Sequence, residues 1–254
     1  MRTATLSVFF INGYWHETMK RDCLFDNFDS CVANDSAIFR QVAFHEAGHA
    51  AAIHFFNKQK QLPPIFFQIT VKYLPHFSNE QLAGLRSLSR NHYIGMIEGG
   101  YLIQNLPVTL LEHDNYTLHE QLAYQIAFEA DMVNLMIGPL AEAKHVSLRN
   151  NGIFMPDQLD INIFSDYCGT SDLGEIREYL DVLVPDKREH PAKLTELFNC
   201  AMMFIESPKY WQAIECLADL IFKSDEESIG CEEAIAVMEA SLVRKLGANS
   251  AILQ

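Results

Sequence analysis

His45-Glu46-Ala47-Gly48-His49 constrains this chain more than any other stretch, because it sets two imidazoles four positions apart in a segment that reads as a buried helix. From Ser36 to Phe56 there is no proline. Asn34, Asp35 and Ser36 are capping candidates ahead of the run, and Val42, Ala43, Phe44, Ala50, Ala51, Ala52 and Ile53 make it apolar. On a helix, residues i and i+4 share a face, so both rings can reach one point while Glu46 projects to one side of it. Two histidines and a glutamate buried without partners would be costly, and a metal ion with a water molecule supplies partners for all three. His-Glu-x-x-His is the signature of zinc-dependent hydrolases, in which the metal brings the pKa of a water to about 7 and the carboxylate takes its proton. His45 and His49 are expected to be Zn2+ ligands and Glu46 the general base. The alternative is a core helix whose histidines bond backbone carbonyls.

A catalytic zinc site takes three protein ligands and keeps one position open. The extended metzincin pattern would need glycine at 52 and histidine at 55, where this chain has Ala52 and Phe55, so that class is excluded. His54 falls one residue short of the required position and reads as structural.

The run Phe44-His45-Glu46-Ala47-Gly48-His49-Ala50 resembles the peptidase domain of FtsH-type, ATP-dependent zinc proteases, which also have glycine before the second histidine. The likeness continues in order. Ile65 to Lys72 alternates as a strand does and is similar to the strand after that family's zinc helix, and Tyr93 to Tyr101 stands where the next strand lies. Leu135-Met136-Ile137-Gly138-Pro139-Leu140-Ala141-Glu142-Ala143 is similar to the family's Leu-Gly-Gly-Arg-Ala-Ala-Glu-Glu segment. Gly169-Thr170-Ser171-Asp172-Leu173 resembles its Gly-Ala-x-Asn-Asp-Leu, whose aspartate is the third zinc ligand. The matched region runs from about residue 36 to about residue 245. Ile137, Pro139-Leu140 and Ser171 depart from the family pattern, and the polar stretch Pro75 to His92 reads as a loop insertion.

The resemblance implies Asp172 as third ligand, and helix physics is compatible with it. Ser171 is a plausible N-cap, and a helix starting at Asp172 would continue through Ile176, Leu180 and Leu183. A capping charge is the plainer reading of Asp172. Glu142 is the alternative ligand, or else a partner of one of the zinc-bound histidines; Glu129 and Asp131 stand behind it.

The FtsH-type proteases carry an ATPase domain, whereas this sequence holds no Gly-x-x-x-x-Gly-Lys-Ser/Thr phosphate loop. Substrates are therefore expected to be flexible or unfolded protein segments or one specific protein, with a separate ATPase as a conceivable partner. An extended peptide could pair with a strand edge in 65–73 or 93–101. A net charge of -14 argues against nucleic acid and anionic membranes as partners. No apolar run approaches the roughly twenty residues that cross a bilayer, and no signal-peptide cleavage site stands out after Leu6 to Ile11, so a cytoplasmic location is expected. The six cysteines form no Cys-x-x-Cys pair and read as reduced core thiols.

The fold class expected is mainly α with a small β-sheet (α+β): an FtsH-peptidase-like zinc helix, two or three strands and a C-terminal helical bundle. Residues 1–33 form a lead-in with one candidate strand at Leu6 to Ile11, residues 34–190 a zinc peptidase core, and residues 191–254 a helical bundle packed with it. Thr117-Leu118-His119-Glu120 is a capping box that opens a long helix. Residues 150–168 read as a loop, and helices are expected over Ala192–Ser207, Pro208–Lys223 and Glu232–Leu246, with Met202, Met203, Phe204 and Ile205 in the core. A zinc metalloendopeptidase is the function expected. A binding or regulatory protein that keeps the fold but cleaves nothing is the alternative, and the oligomeric state is open.

Overall fold

The computed structural model describes residues 20–22, 35–73, 93–103, 117–156 and 170–250. The candidate strand at Leu6 to Ile11, the insertion Pro75 to His92 and most of the loop 150–168 lie outside them. The architecture is mainly helical with a small antiparallel sheet, the α+β class.

Helix α1, Asp35–Ala51, carries no single apolar stripe, and its second half is buried all round, which makes it central rather than peripheral. From Val42 to Ile53 every residue is buried. A π-helical stretch, Ala52–Phe56, and a last turn, Asn57–Gln59, continue it. The chain stops there with Gln61 at φ 57°, and Leu62 N–H donates to the Asn57 carbonyl (2.9 Å). His54 faces outward from the π stretch and bonds Glu239 at 3.0 Å, away from the two other histidines.

Helix α2, Leu118–Asn151, lies antiparallel to α1: Phe44 stacks on His145, His45 meets Glu142, and His49 meets Asn134. Its start is the capping box the sequence predicts. Glu120 N–H donates to Thr117 Oγ1 (3.3 Å) and Thr117 N–H to Glu120 Oε2 (2.8 Å), a cap worth about 1 kcal/mol. Gly152, at φ 70°, ends it. Pro139 stands inside the helix, which runs on past it.

The sheet has strand order β1-β3-β2-β4, with β1 at Lys20–Asp22, β2 at Phe67–Tyr73, β3 at Tyr93–Gly99 and β4 at Ser228–Gly230. The long pair β2 and β3 is in register from Phe67↔Gly99 to Tyr73↔Tyr93. The three-residue strands at the edges carry too little pattern to be read from sequence, and they correct one expectation. Neither 65–73 nor 93–101 is an edge of the sheet, because β2 lies between β3 and β4, and β3 between β1 and β2.

Helices α3 (Thr170–Leu183), α4 (His190–Glu206), α5 (Pro208–Lys223) and α6 (Cys231–Ser250) complete the described chain. Helix α3 begins at Thr170, so Ser171 lies inside its first turn rather than capping it. Helix α5 packs on α1, α4 on α2, and one continuous cluster of buried side chains links α1, α2, α4, α5 and α6. Met202, Phe204 and Ile205 belong to that cluster; Met203 is 65% exposed, because neighbours on a helix point about 100° apart and the core takes only one stripe. Cys200, Cys216 and Cys231 are not in disulfides, Cys231 buried and the others half-buried. Among the described residues no helix is long and apolar enough to cross a membrane.

Candidate metal centre

Helix α1 presents His45 and His49 one turn apart toward α2 and α3. Their Nε2 atoms are 3.0 Å from each other. Asp172, in the first turn of α3, faces both: its Oδ2 is 3.4 Å from His45 Nε2 and its Oδ1 3.5 Å from His49 Nε2. The three side chains are buried, and one ligand atom from each lies within 4.8 Å of the others, so the group could hold a metal ion. Two imidazoles and a carboxylate suit a borderline-soft divalent ion such as zinc.

The outer nitrogens fix which ring atoms face that point. His49 Nδ1–H donates to the Asn134 carbonyl (2.8 Å), which can only accept, so His49 Nε2 carries the lone pair. His45 Nδ1–H donates to Glu142 Oε2 (3.2 Å), leaving its Nε2 directed inward too. Carboxylate and carbonyl partners of this kind orient metal-binding imidazoles and raise their basicity. Burial lowers the His45 pKa, but hydrogen bonds to Asp172 and Glu142 and the charges of Asp172 and Glu46 outweigh it, so the net direction is well upward. A metal ion at these nitrogens would displace the His45 proton.

The partners on α2 form a stripe. Asn134, Gly138 and Glu142 follow one another at i, i+4 and i+8 and face His49, His49 and His45 in turn. Gly138 leaves the room that His49 occupies: a Cβ there would overlap Nε2, Cε1 and Cδ2 of the ring. Asn134 also donates through Nδ2 to Asn57 Oδ1 (3.2 Å), fastening α2 to the end of the histidine helix. Sequence reasoning missed Asn134, since a backbone acceptor has no side-chain signature, and it read no role into Gly138 beyond the resemblance.

Glu46 is fully buried beside β3. A Cβ on Gly95 would stand 2.6 Å from Glu46 Oε1 and would also overlap Val42, so the strand approaches the carboxylate because residue 95 has no side chain. Glu142 thus stands behind His45 on its Nδ1 side. Glu129 is engaged elsewhere, accepting from Lys193 Nζ (2.7 Å) and Gln125 Nε2 (2.8 Å). Asp131 accepts the backbone N–H groups of Leu102 and Ile103. Neither of these last two is among the three residues brought together, which corrects their candidacy as ligands.

No family model, curated protein or solved structure matches the chain.

Proposed function

We propose that this chain is a zinc metalloendopeptidase of the His-Glu-x-x-His type, akin to an FtsH-type peptidase domain, with His45, His49 and Asp172 holding Zn2+ and Glu46 as general base. The observation that carries the reading is the convergence of two inward-facing imidazole nitrogens and a buried carboxylate, from two separate helices, beside a second buried carboxylate on the histidine helix.

Zinc held there would supply a Lewis acid and bring the pKa of water to about 7. Glu46 is the residue that takes the proton. Water loses a proton to Glu46 as its oxygen bonds to the substrate carbonyl carbon, the C–N bond breaks, and Glu46 returns the proton to the departing nitrogen. Glu142 and Asn134 hold the imidazoles in one tautomer, and Gly95 keeps the space beside Glu46 clear. The substrates on this reading are flexible or unfolded protein segments, whose extended backbone can reach a buried centre without prior unfolding.

The test is elemental analysis of purified protein with its His45→Ala, Asp172→Ala and Glu46→Gln variants, beside cleavage of a fluorogenic unfolded protein. About one zinc per chain is expected, and the first two variants should lose it during purification and rebind it only weakly. Glu46→Gln should keep zinc and lose roughly 10²–10⁴-fold in cleavage rate. A chain that takes up no metal when zinc is supplied sinks the proposal, and zinc uptake with no cleavage of any unfolded chain points instead to the binding protein.

A further inference from the structure

Residues 101–103 lie between the helix that orients the histidines and the helix that carries Asp172. The chain leaves β3 through Gly99 and Gly100, whose φ values of 79° and 80° turn it off the sheet, a conformation that side chains rarely adopt. On one side Asp131 of α2, fully buried, accepts from Leu102 N–H at 3.0 Å on each oxygen and from Ile103 N–H at 2.9 Å. On the other, Tyr101 O–H donates to Glu175 Oε2 of α3 at 2.9 Å. Tyr179 O–H lies 3.4 Å from the Ile103 carbonyl and 3.5 Å from Asp131 Oδ2.

Asp172, Glu175 and Tyr179 follow one another at i, i+3 and i+7 and so share a face of α3. The face that offers Asp172 to the histidines is therefore the face the 101–103 strap grips. Apolar contacts at Ile176, Tyr179 and Leu180 hold the middle of α3, but apolar burial is non-directional. A hydrogen bond one turn from Asp172 is directional and supplies the missing constraint. A metal ligand has to be held to within about 0.5 Å, which packing alone does not secure.

We infer that Tyr101 and Asp131 are positioning residues for Asp172: through the 101–103 strap they fix α3 against α2 and so set where the third carboxylate meets His45 and His49. The inference rests on the metal-centre reading above.

Zinc affinity of the purified full chain, measured by competition with a chromogenic chelator, tests it in a four-member set: the parent, Tyr101→Phe, Asp172→Ala and the double variant. Tyr101→Phe should weaken zinc binding about tenfold, the lower end of what outer partners of metal ligands contribute. In the Asp172→Ala background, read with a weaker chelator, the same change should alter affinity by less than about twofold, because its route through Asp172 is gone. Asp131→Asn, which keeps the side-chain shape, should follow the same pattern, and far-UV circular dichroism should show all variants folded. Equal zinc affinity with and without the Tyr101 hydroxyl overturns the inference, as does an equal loss once Asp172 is already absent. A parent chain that takes up no zinc overturns the metal centre itself and this inference with it.

Discussion

Glu142 stands directly behind His45, accepting its Nδ1–H at 3.2 Å with both side chains buried, so the acidic residue that competes with Asp172 for the metal holds a ring from the far side instead. Replacing Glu142 by Gln keeps an acceptor and the shape but removes the charge. Zinc affinity should fall about 10–100-fold in a protein that remains folded, the range for such partners. Glu142→Ala adds the cost of a buried unpaired N–H, about 1–3 kcal/mol of stability. Titration with a zinc chelator, alongside Asp172→Ala, separates the roles. Loss of all zinc with Glu142→Gln but not with Asp172→Ala would exchange the two residues.

Glycine-to-alanine changes should take opposite signs at two positions in helices. At Gly138 the new methyl would overlap the His49 ring, so about 1–3 kcal/mol of stability should be lost and zinc binding weakened. At Gly174, inside α3, nothing lies within 4 Å of the added Cβ, and the higher helix propensity of alanine should stabilise by up to about 1 kcal/mol. Urea melts of the two variants decide it. Destabilisation at both would mean the contact at Gly138 is not the cause.

How much of this was legible in the sequence follows from what each signal depends on. His45, Glu46 and His49 stand out because a helix turns fixed spacing into fixed geometry, and the same regularity made the capping box at Thr117 and the start of α5 at Pro208 readable. Asp172 sits 123 residues beyond His49 in sequence, and no local rule joins them; its candidacy came from the likeness of Gly169 to Leu173 to a family segment. The partners on α2 were illegible for another reason. Asn134 acts through its backbone, and Gly138 acts by lacking atoms. Strands β1 and β4 have three residues each, too few for an alternating pattern to show, so the reading of 65–73 and 93–101 as edges failed on pairing that only the fold reveals.

Gly95 gives a prediction that separates catalysis from metal binding. The three atoms nearest its hypothetical Cβ all belong to Val42 and Glu46, so the overlap falls first on the carboxylate rather than on a metal-facing side chain. Gly95→Ala should therefore leave about one zinc per chain while reducing cleavage of an unfolded substrate by roughly tenfold or more, since a base displaced by even 1 Å is costly. Zinc content and cleavage rate measured on the same preparation test this. Loss of zinc in step with activity would show that the strand supports the whole centre rather than the carboxylate alone.

His145 sets a pH dependence of stability. Its ring stacks on Phe44 with centroids 3.9 Å apart, and Nε2 is buried. Burial, followed by the charges of Arg40 and Arg149, lowers its pKa to about 4. The folded value lies below the unfolded one of about 6.5, so folding favours the neutral ring. Stability from this group is fully present above pH 6.5 and is lost as pH falls from there toward 4, where both states carry the proton. Solvent on the open side of the ring screens part of the effect, so we expect Tm to fall by roughly 2–4 °C between pH 7 and 5, what about 1 kcal/mol does in a chain of this size. In the metal-free protein His45 acts with the opposite sign: its raised pKa adds stability that is full below pH 6.5 and is lost as pH rises through the folded value. The readout is accordingly the difference between the parent and His145→Leu, which keeps an apolar contact with Phe44 and cannot titrate. The variant should lose less Tm than the parent on going to pH 5; parallel curves would assign the acid sensitivity to other groups.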